Sequence, residues 1–347
     1  MSDNALQLAI KRLAAGESLS RDAAAGAFGV VMRGEGTAAQ VSALLVALRV
    51  KGETPDEVAG AAIAMRDAMT VLHADAPEDL VDTCGTGGGA VTTFNISTAA
   101  ALLAAGAGVR VAKHGNRSFS SRSGSADVLE ALGVNIDVPV EAMREVLETA
   151  GIVFMYAPTM HPAMRHVGPV RRELAIQTVM NLIGPLANPA RAGRQVIGVS
   201  DPRRLGLIGG ALQALGTTHS LVVHGAPGLD EVSPLGSTTV LELVQGEARS
   251  WTVEPERVGA LVESSNDLLG QEPAENARII ESVLGGRGTA GATAAVLLNA
   301  AGAIYVAGMA DDFTYAMALA REALKSGAGR DALERLRRAS RRWERRA

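Results

Sequence analysis

From residue 79 onward the sequence alternates between short strand-like runs and longer helix-like segments. The strand-like runs are rich in β-branched and apolar residues and occupy positions 80–81, 109–112, 152–156, 195–199 and 220–223. The segments between them are mostly rich in alanine or leucine and long enough for a helix. Parallel strands need such a crossover connection. The alternation therefore predicts an α/β domain with a mainly parallel central sheet.

The first 72 residues show a different pattern, in which apolar side chains recur at the i, i+3, i+4 spacing of helices. Thr54 starts one of these helices as its N-cap, with Pro55 in the first turn and Glu57 three residues after the cap. A small helical bundle is predicted here. A further helical stretch near residues 167–182 is expected to return to it.

These patterns predict two domains. The helical domain comprises residues 1–72 with a returning segment at about 165–188, and the α/β domain comprises residues 73–164 and 189–347. A chain of 347 residues with 47% hydrophobic and 20% charged residues is large enough for two packed domains.

Charge and cysteine content narrow the classes of function. With 33 basic and 37 acidic residues the net charge is −4, which disfavours a protein that mainly coats nucleic acid. The single cysteine, Cys84, excludes an internal disulfide and a multi-cysteine metal site, so we expect a reducing, cytoplasmic setting. We expect no export signal, because residues 1–16 mix Asp3, Lys11 and Arg12 with apolar residues and lack an unbroken apolar core. We expect no membrane span, because the apolar stretches at 99–109 and 293–310 are short or interrupted by glycine and Asn299.

A glycine-rich turn lies between the first predicted strand and the helix that begins near Asn95. It contains Gly85, Gly87, Gly88 and Gly89. Such a turn lets backbone N–H groups approach a phosphate at a helix N-terminus. It lacks the features of a Walker loop or a dinucleotide fingerprint, and a merely tight turn remains an alternative.

Cations and hydroxyls follow the next predicted strand. Lys113, Asn116 and Arg117 are succeeded by serines at 118, 120, 121, 123 and 125. Ligands of open α/β sheets bind at the carboxyl ends of the strands, so this cluster predicts a polyphosphate site rather than a solvated linker.

Two adjacent carboxylates, Asp230 and Glu231, follow a later strand. They are either plain surface acids or, beside a phosphate site, ligands for Mg²⁺, which prefers one or two carboxylates together with phosphate oxygens and water. No arrangement typical of a nucleophilic triad or a zinc site is present in the sequence.

Taken together, these motifs resemble those of the anthranilate phosphoribosyltransferases. The match runs in order over essentially the whole chain and includes GTGG at 85–88, NIST at 95–98, KHGN at 113–116, SGSAD at 123–127, HP at 161–162, RRE at 171–173, NLIGPL at 181–186 and GLDE at 228–231. The resemblance implies transfer of the phosphoribosyl group of phosphoribosyl pyrophosphate to the amino group of anthranilate. It also implies a homodimer joined through the helical domains.

The resemblance also implies roles for individual residues. Lys113, Asn116 and Arg171 are expected to be catalytic, with Asn116 and Arg171 positioning anthranilate. Ser97, Asp230 and Glu231 are expected to hold Mg²⁺. The residues expected to contact substrates are Gly85, Gly88, Gly89, Thr93, Asn95, Ile96, Ser97, Thr98, Lys113, His114, Gly115, Asn116, Arg117, Ser118, Phe119, Ser120, Ser121, Ser125 and Arg171.

The chain departs from the family pattern in the glycine-rich loop. Gly89 and Ala90 stand where the family usually has Asp-Gly, and Thr92 stands where it usually has asparagine. Loss of a carboxylate beside a diphosphate removes charge repulsion and a possible metal contact, and glycine adds freedom to the loop. We hypothesise a more mobile loop with altered metal dependence and retained activity.

Two other functions remain open from the sequence. One is a nucleoside phosphorylase related to the pyrimidine enzymes, which Asn116, Arg171 and the acidic pair disfavour. The other is a non-catalytic relative that binds nucleic acid, supported only by the tail at 330–347 with its eight arginines and three acids. This tail is predicted to be a solvated terminal helix.

Overall fold

A computed structural model describes residues 4–87, 92–118 and 122–344. The first four helices form the helical bundle, and each begins at a side chain that caps it. Asn4, Ser20, Thr37 and Thr54 each accept a hydrogen bond from a backbone N–H in the first turn. The helices are α1 Ala5–Ala14, α2 Arg21–Met32, α3 Ala38–Lys51 and α4 Pro55–Asp67.

The segment at 163–187 packs into the same hydrophobic cluster as these four helices. The predicted continuous helix at 167–182 is wrong. The observed helix, α9, ends at Leu174, because Ala175 adopts a left-handed conformation with φ 51°. A short 3-10 turn, Val179–Asn181, follows. The division of the chain into two domains at the stated residues stays a prediction.

The α/β domain is built on one seven-stranded sheet in the order β3-β2-β1-β4-β5-β6-β7. The strands are β1 Val81–Gly85, β2 Val111–Gly115, β3 Ile152–Tyr156, β4 Arg194–Gly198, β5 His219–Gly225, β6 Thr238–Val244 and β7 Glu247–Val253. The first five are parallel, whereas β6 and β7 form an antiparallel hairpin at one edge. The five predicted strands and the mainly parallel sheet are confirmed; the hairpin was not predicted.

The remaining helices pack around the sheet, except α9, which packs in the hydrophobic cluster of the helical bundle. In chain order they are α5 Ile96–Gly106, α6 Ser125–Ala131, α7 Val140–Ala150, α8 Ala157–Met160, α9 Gly168–Leu174, α10 Arg204–Leu215, α11 Pro273–Leu284, α12 Ala290–Val306, α13 Phe313–Lys325 and α14 Ala328–Arg341. Helix α12 is buried along almost its whole length, which explains its apolar sequence. Within the described ranges, no helix is both long and apolar enough to cross a bilayer.

The arginine-rich tail differs from the expected solvated helix. Helix α14 buries Leu333 and Leu336 in the core of the α/β domain. Arg337 and Arg341 donate to the carbonyl oxygens of Leu132 and Gly133, just after helix α6. Arg337 and Arg341 therefore attach helix α14 to the end of helix α6, because carbonyl groups at a helix C-terminus attract cations.

Candidate active site

The acidic loop, residues 228–233, lies directly on the carboxyl edge of the sheet. Gly85 and Gly198 are paired neighbours at the ends of β1 and β4. A Cβ on Gly198 would lie 1.7 Å from the Asp230 carbonyl oxygen, and one on Gly85 would lie 2.3 Å from Asp230 Oδ2. Both positions therefore require glycine for the loop to approach this closely. The Gly87 N–H donates to Asp230 Oδ2 at 2.8 Å, which joins the acidic loop to the glycine-rich turn.

A cavity of about 500 Å³ opens beside this loop. Lys113, only 2% exposed, extends from β2 into its wall and donates to the Thr83 carbonyl and to Ser97 Oγ, the latter at 3.3 Å. Burial lowers the pKa of Lys113, and the nearby carboxylate of Asp82 opposes that shift. The cavity thus brings together a lysine, a helix N-terminus and the acidic pair.

Asp230 and Glu231 are half-buried in the cavity wall. Burial raises the pKa of Asp230, and burial together with the neighbouring Asp230 charge raises the pKa of Glu231 to about 8. The Lys113 charge and the Ser97 N–H counteract this rise without cancelling it. Two carboxylates with incomplete compensation favour a cation beside them.

The Asp230–Glu231 pair suits Mg²⁺, which takes few ligands from the protein, better than a metal that takes all its ligands from the protein. Across the described ranges no group of three or more His, Cys, Asp or Glu side chains is placed to hold a metal ion. Asp230, Glu231 and Ser97 place three oxygen-bearing side chains at the cavity wall. Mg²⁺ is commonly held in this way, with substrate phosphates and water as its other ligands.

Residues 92–95, which line this cavity, are held in place by hydrogen bonds with residues 268–276. The Phe94 N–H donates to the Leu268 carbonyl at 2.9 Å, and the Gly270 N–H donates to the Thr92 carbonyl at 2.8 Å. Asn276, 1% exposed, donates to Asn95 Oδ1 at 3.0 Å. The helix start at Asn95 is therefore fixed by residues far away in sequence.

A second cavity of about 590 Å³ adjoins the first. Both are lined by Cys84, Gly85, His114, Gly115 and Asn116, and Arg171 lines the second. Burial lowers the pKa of Arg171, and among the described residues no ion pair includes it. A half-buried guanidinium without a carboxylate suits an anionic ligand.

Two histidines, His114 and His161, also line the second cavity. Their Nε2 atoms lie 3.1 Å apart, so one ring donates a hydrogen bond to the other. Burial lowers the pKa of His114 to about 3 and that of His161 to about 4. Both rings are neutral at pH 7, so Arg171 provides charge here that the histidines do not.

Most of the predicted site residues meet at these cavities. Those that line the first cavity are Gly85, Thr93, Asn95, Ile96, Ser97, Thr98, Lys113, His114, Gly115, Asn116, Ser125, Asp230 and Glu231. Gly88, Gly89, Ala90, Phe119, Ser120 and Ser121 lie outside the described residues.

The structure does not place Arg117 and Ser118 on either cavity wall. The Arg117 guanidinium pairs with Asp127 and Glu130 of helix α6, and the Ser118 N–H donates to Asp127 at 2.9 Å. Three supporting asparagines were missed in the sequence: Asn188, Asn276 and Asn299. Asn299 is a polar residue inside an apolar helical pattern, and this is the signal that could have found it, whereas Asn276 lies in an amphipathic helix near Glu275 and Arg278 and gives no such signal.

The chain matches two family models along most of its length. The helical bundle domain of the glycosyl transferase family matches residues 7–69, and the a/b domain of the same family matches residues 77–330. The fold and the site thus define a two-domain glycosyl transferase.

Comparison with individual proteins identifies the family more precisely. The anthranilate phosphoribosyltransferase of Anaeromyxobacter sp. (strain K) is 48% identical over 95% of this chain and 97% of its own length, and that of Geobacillus kaustophilus is 44% identical over 96% and 97%. The crystal structure of the Thermus thermophilus anthranilate phosphoribosyltransferase superposes with a TM-score of 0.90, at 43% identity over 96% of this chain and 99% of that one.

The Saccharomyces cerevisiae anthranilate phosphoribosyltransferase in complex with PRPP and Mg has a TM-score of 0.89, at 28% identity over 97% and 98% of the two chains. The chain belongs to the anthranilate phosphoribosyltransferase family. The family resemblance and the fold class expected from the sequence are confirmed. The phosphorylase and nucleic-acid-binding alternatives receive no support from these relatives.

Proposed function

We propose that the chain transfers the 5-phosphoribosyl group of phosphoribosyl pyrophosphate to the amino group of anthranilate, releasing pyrophosphate, as a step of tryptophan biosynthesis. One observation carries the proposal: a cavity with a buried lysine and an acidic pair adjoins a second cavity lined by Arg165, Arg171 and Arg172, and Asn116 lines both. The first suits a diphosphate with its metal ion, and the second suits an aromatic carboxylate.

The diphosphate lies in the first cavity. The start of helix α5 lines it with Ile96, Ser97 and Thr98, and the partial positive charge of the helix N-terminus favours an anion there. Lys113 supplies the positive charge.

Mg²⁺ is the proposed cofactor. Asp230, Glu231 and Ser97 are its proposed protein ligands, and the raised pKa values of the two carboxylates support a cation between them and the diphosphate. When bound, Mg²⁺ neutralises charge that develops on the departing pyrophosphate.

Anthranilate lies in the second cavity. Arg171 offers a planar guanidinium that can pair with the substrate carboxylate through two parallel hydrogen bonds. Asn116 and the Gly85 backbone orient the ring so that the amine faces the first cavity. The neutral His114–His161 pair adds no competing positive charge beside Arg171.

The reaction needs no protein nucleophile. Departure of pyrophosphate from the anomeric carbon leaves an oxocarbenium-like centre, and the Lys113 ammonium stabilises the charge on the leaving oxygen. The arylamine is neutral at pH 7 and attacks directly, so a strong general base is unnecessary. Holding the amine against the anomeric carbon supplies most of the rate advantage.

The quaternary proposal is a homodimer joined through the helical domain. Leu8 is 51% exposed and Val50 is 81% exposed. An apolar groove between α1 and α3 is lined by Ile10, Leu13, Val46, Ala47 and Val50. Light scattering should give twice the chain mass for the wild type and the chain mass for Val50→Glu. The cytoplasmic setting expected from the single cysteine stays a proposal.

The test of the activity is anthranilate fluorescence followed over time with purified protein, phosphoribosyl pyrophosphate and Mg²⁺. A matched mixture without phosphoribosyl pyrophosphate serves as the control. Loss of fluorescence only in the complete mixture supports the transferase. Unchanged fluorescence across a range of Mg²⁺ concentrations would overturn it.

A further inference from the structure

Asn299 is a polar residue in the middle of an otherwise apolar buried helix. It lies in α12, is 2% exposed and follows Leu298, which is fully buried. Burial of a carboxamide is unfavourable unless its donors and acceptor are satisfied. Its position in the core therefore requires specific partners.

Those partners belong to the backbone of the acidic loop. Asn299 Oδ1 accepts a hydrogen bond from the Val232 N–H at 2.9 Å, and Asn299 Nδ2 donates to the Val232 carbonyl at 3.0 Å. Nδ2 also donates to the Ala295 carbonyl one turn earlier, at 2.9 Å. The side chain thus pairs with Val232 as a neighbouring strand would, through one donor and one acceptor.

The acidic loop is fixed on both sides of the carboxylate pair. On one side, Leu229 and Gly225 exchange two backbone hydrogen bonds of 2.7 and 2.9 Å. On the other side, Asn299 holds both backbone groups of Val232. Only Asp230 and Glu231 lie between these two anchors, so their backbone positions depend on both.

We propose that Asn299 is a positioning residue that holds the Asp230–Glu231 pair in place for the metal–diphosphate complex. This inference rests on the proposed function of that pair. Asn299 touches neither carboxylate and acts through the Val232 backbone. It explains why one asparagine interrupts an otherwise apolar buried helix.

The test compares Asn299→Leu with Leu298→Ala. Leucine keeps the branched outline of asparagine, with the same number of side-chain heavy atoms, but removes both bonds to Val232 and the bond to Ala295. Leu298→Ala weakens the same helix and leaves those bonds intact, so it controls for general destabilisation. The readout is Mn²⁺ affinity in the presence of pyrophosphate, measured from the electron paramagnetic resonance signal of free Mn²⁺.

We expect Asn299→Leu to weaken Mn²⁺ binding by about tenfold or more, the range found when residues that orient metal ligands are replaced. Leu298→Ala should stay within about twofold of the wild type. Asn299→Asp keeps an acceptor for the Val232 N–H and loses both donors, so its affinity should lie between the two, and it carries the test if Asn299→Leu does not fold. The KM for anthranilate should be unchanged in all three.

Wild-type Mn²⁺ affinity in the asparagine variants, or an equal loss in Leu298→Ala, would overturn the inference. The outcome is separable from that of the proposed function. If the wild type fails to consume anthranilate while Asn299→Leu still loses Mn²⁺ affinity, the anchoring role stands and the transferase proposal falls.

Discussion

Asp230 Oδ2 accepts a hydrogen bond of 2.8 Å from the Gly87 N–H, and through it the acidic loop and the glycine-rich turn form one structure. These two segments come from opposite halves of the α/β domain. Their junction lies over Gly85 and Gly198, where β1 and β4 end side by side. The position of the Asp230 and Glu231 carboxylates thus depends on how closely the loop can approach the sheet.

Gly198→Ala tests this close approach. The added methyl group would lie 1.7 Å from the Asp230 carbonyl oxygen, so the loop must move away from the sheet. We expect a loss of turnover of about 100-fold, comparable to removal of one electrostatic contact to a transition state. The control is Gly206→Ala in helix α10, where a Cβ meets nothing within 4 Å. That variant should keep full activity and gain about 0.5–1 kcal/mol of stability. Equal activities would contradict the role of Gly198.

Removal of the acidic pair should abolish metal-dependent turnover. Asp230→Ala and Glu231→Ala each remove one proposed Mg²⁺ ligand, and we expect kcat to fall by about 100-fold or more in each. The measurement is anthranilate consumption over a range of Mg²⁺ concentrations. A double alanine variant that works at the full wild-type rate would disprove the metal assignment.

The parallel core of the sheet followed from local sequence, because each strand is a short apolar run between helical segments. The edge hairpin of β6 and β7 does not follow from local sequence in this way. Its turn uses Gln245 and Gly246, both with positive φ, and glutamine gives a weaker turn signal than the asparagine or aspartate common there. The hairpin was therefore left out of the predicted sheet.

The residues of the site were found where chemistry and sequence position coincide, as at Lys113 and Asp230. Supporting contacts were not found, because they join distant parts of the chain. Asn188 bridges Asp82 and the Ala112 carbonyl, and no local pattern reveals that contact. Arg117 differs from these residues, because its charge suits a phosphate but in the structure it pairs with Asp127 and Glu130 of the next helix. Its contact with substrate stays a prediction.

Arg171→Ala should act on anthranilate and spare phosphoribosyl pyrophosphate. Loss of a charge-assisted hydrogen bond of about 1.5–3 kcal/mol raises the anthranilate KM by roughly 10- to 100-fold. Arg171→Lys keeps the charge but not the planar pair of donors, so its KM should be intermediate. Steady-state kinetics with each substrate varied separately is the measurement. An equal rise in both KM values would argue against placing anthranilate at Arg171.

Gly89→Asp restores the carboxylate that the family usually carries after its glycines. We expect the added charge beside the diphosphate to change both the Mg²⁺ dependence and the KM for phosphoribosyl pyrophosphate, since a new anion either repels the substrate or binds the metal. Rate measurements over a series of Mg²⁺ concentrations test this. Unchanged values for both would show that Gly89 does not tune the metal dependence.

Glu231→Gln should stabilise the protein when no divalent cation is present, and only at higher pH. The folded-state pKa of Glu231, about 8, exceeds its ordinary value of 4.5. Between these values the folded state holds a proton that the unfolded state has lost, so the stability linked to this group is complete below about pH 4.5 and is lost as the pH rises through 8.

Glutamine does not titrate, so the Glu231→Gln variant does not lose stability as the pH rises. At pH 8.5 in the presence of a chelator, we expect Glu231→Gln to exceed the wild type by about 1–2 kcal/mol, or a few degrees in Tm, with a smaller difference at pH 5.5. Thermal unfolding at the two pH values is the measurement, and Glu247→Gln on the exposed edge strand β7 is the control. Addition of Mg²⁺ and pyrophosphate should stabilise the wild type more than the variant, because only the wild type retains both carboxylates. Parallel pH profiles for the two proteins would contradict a buried, protonated Glu231.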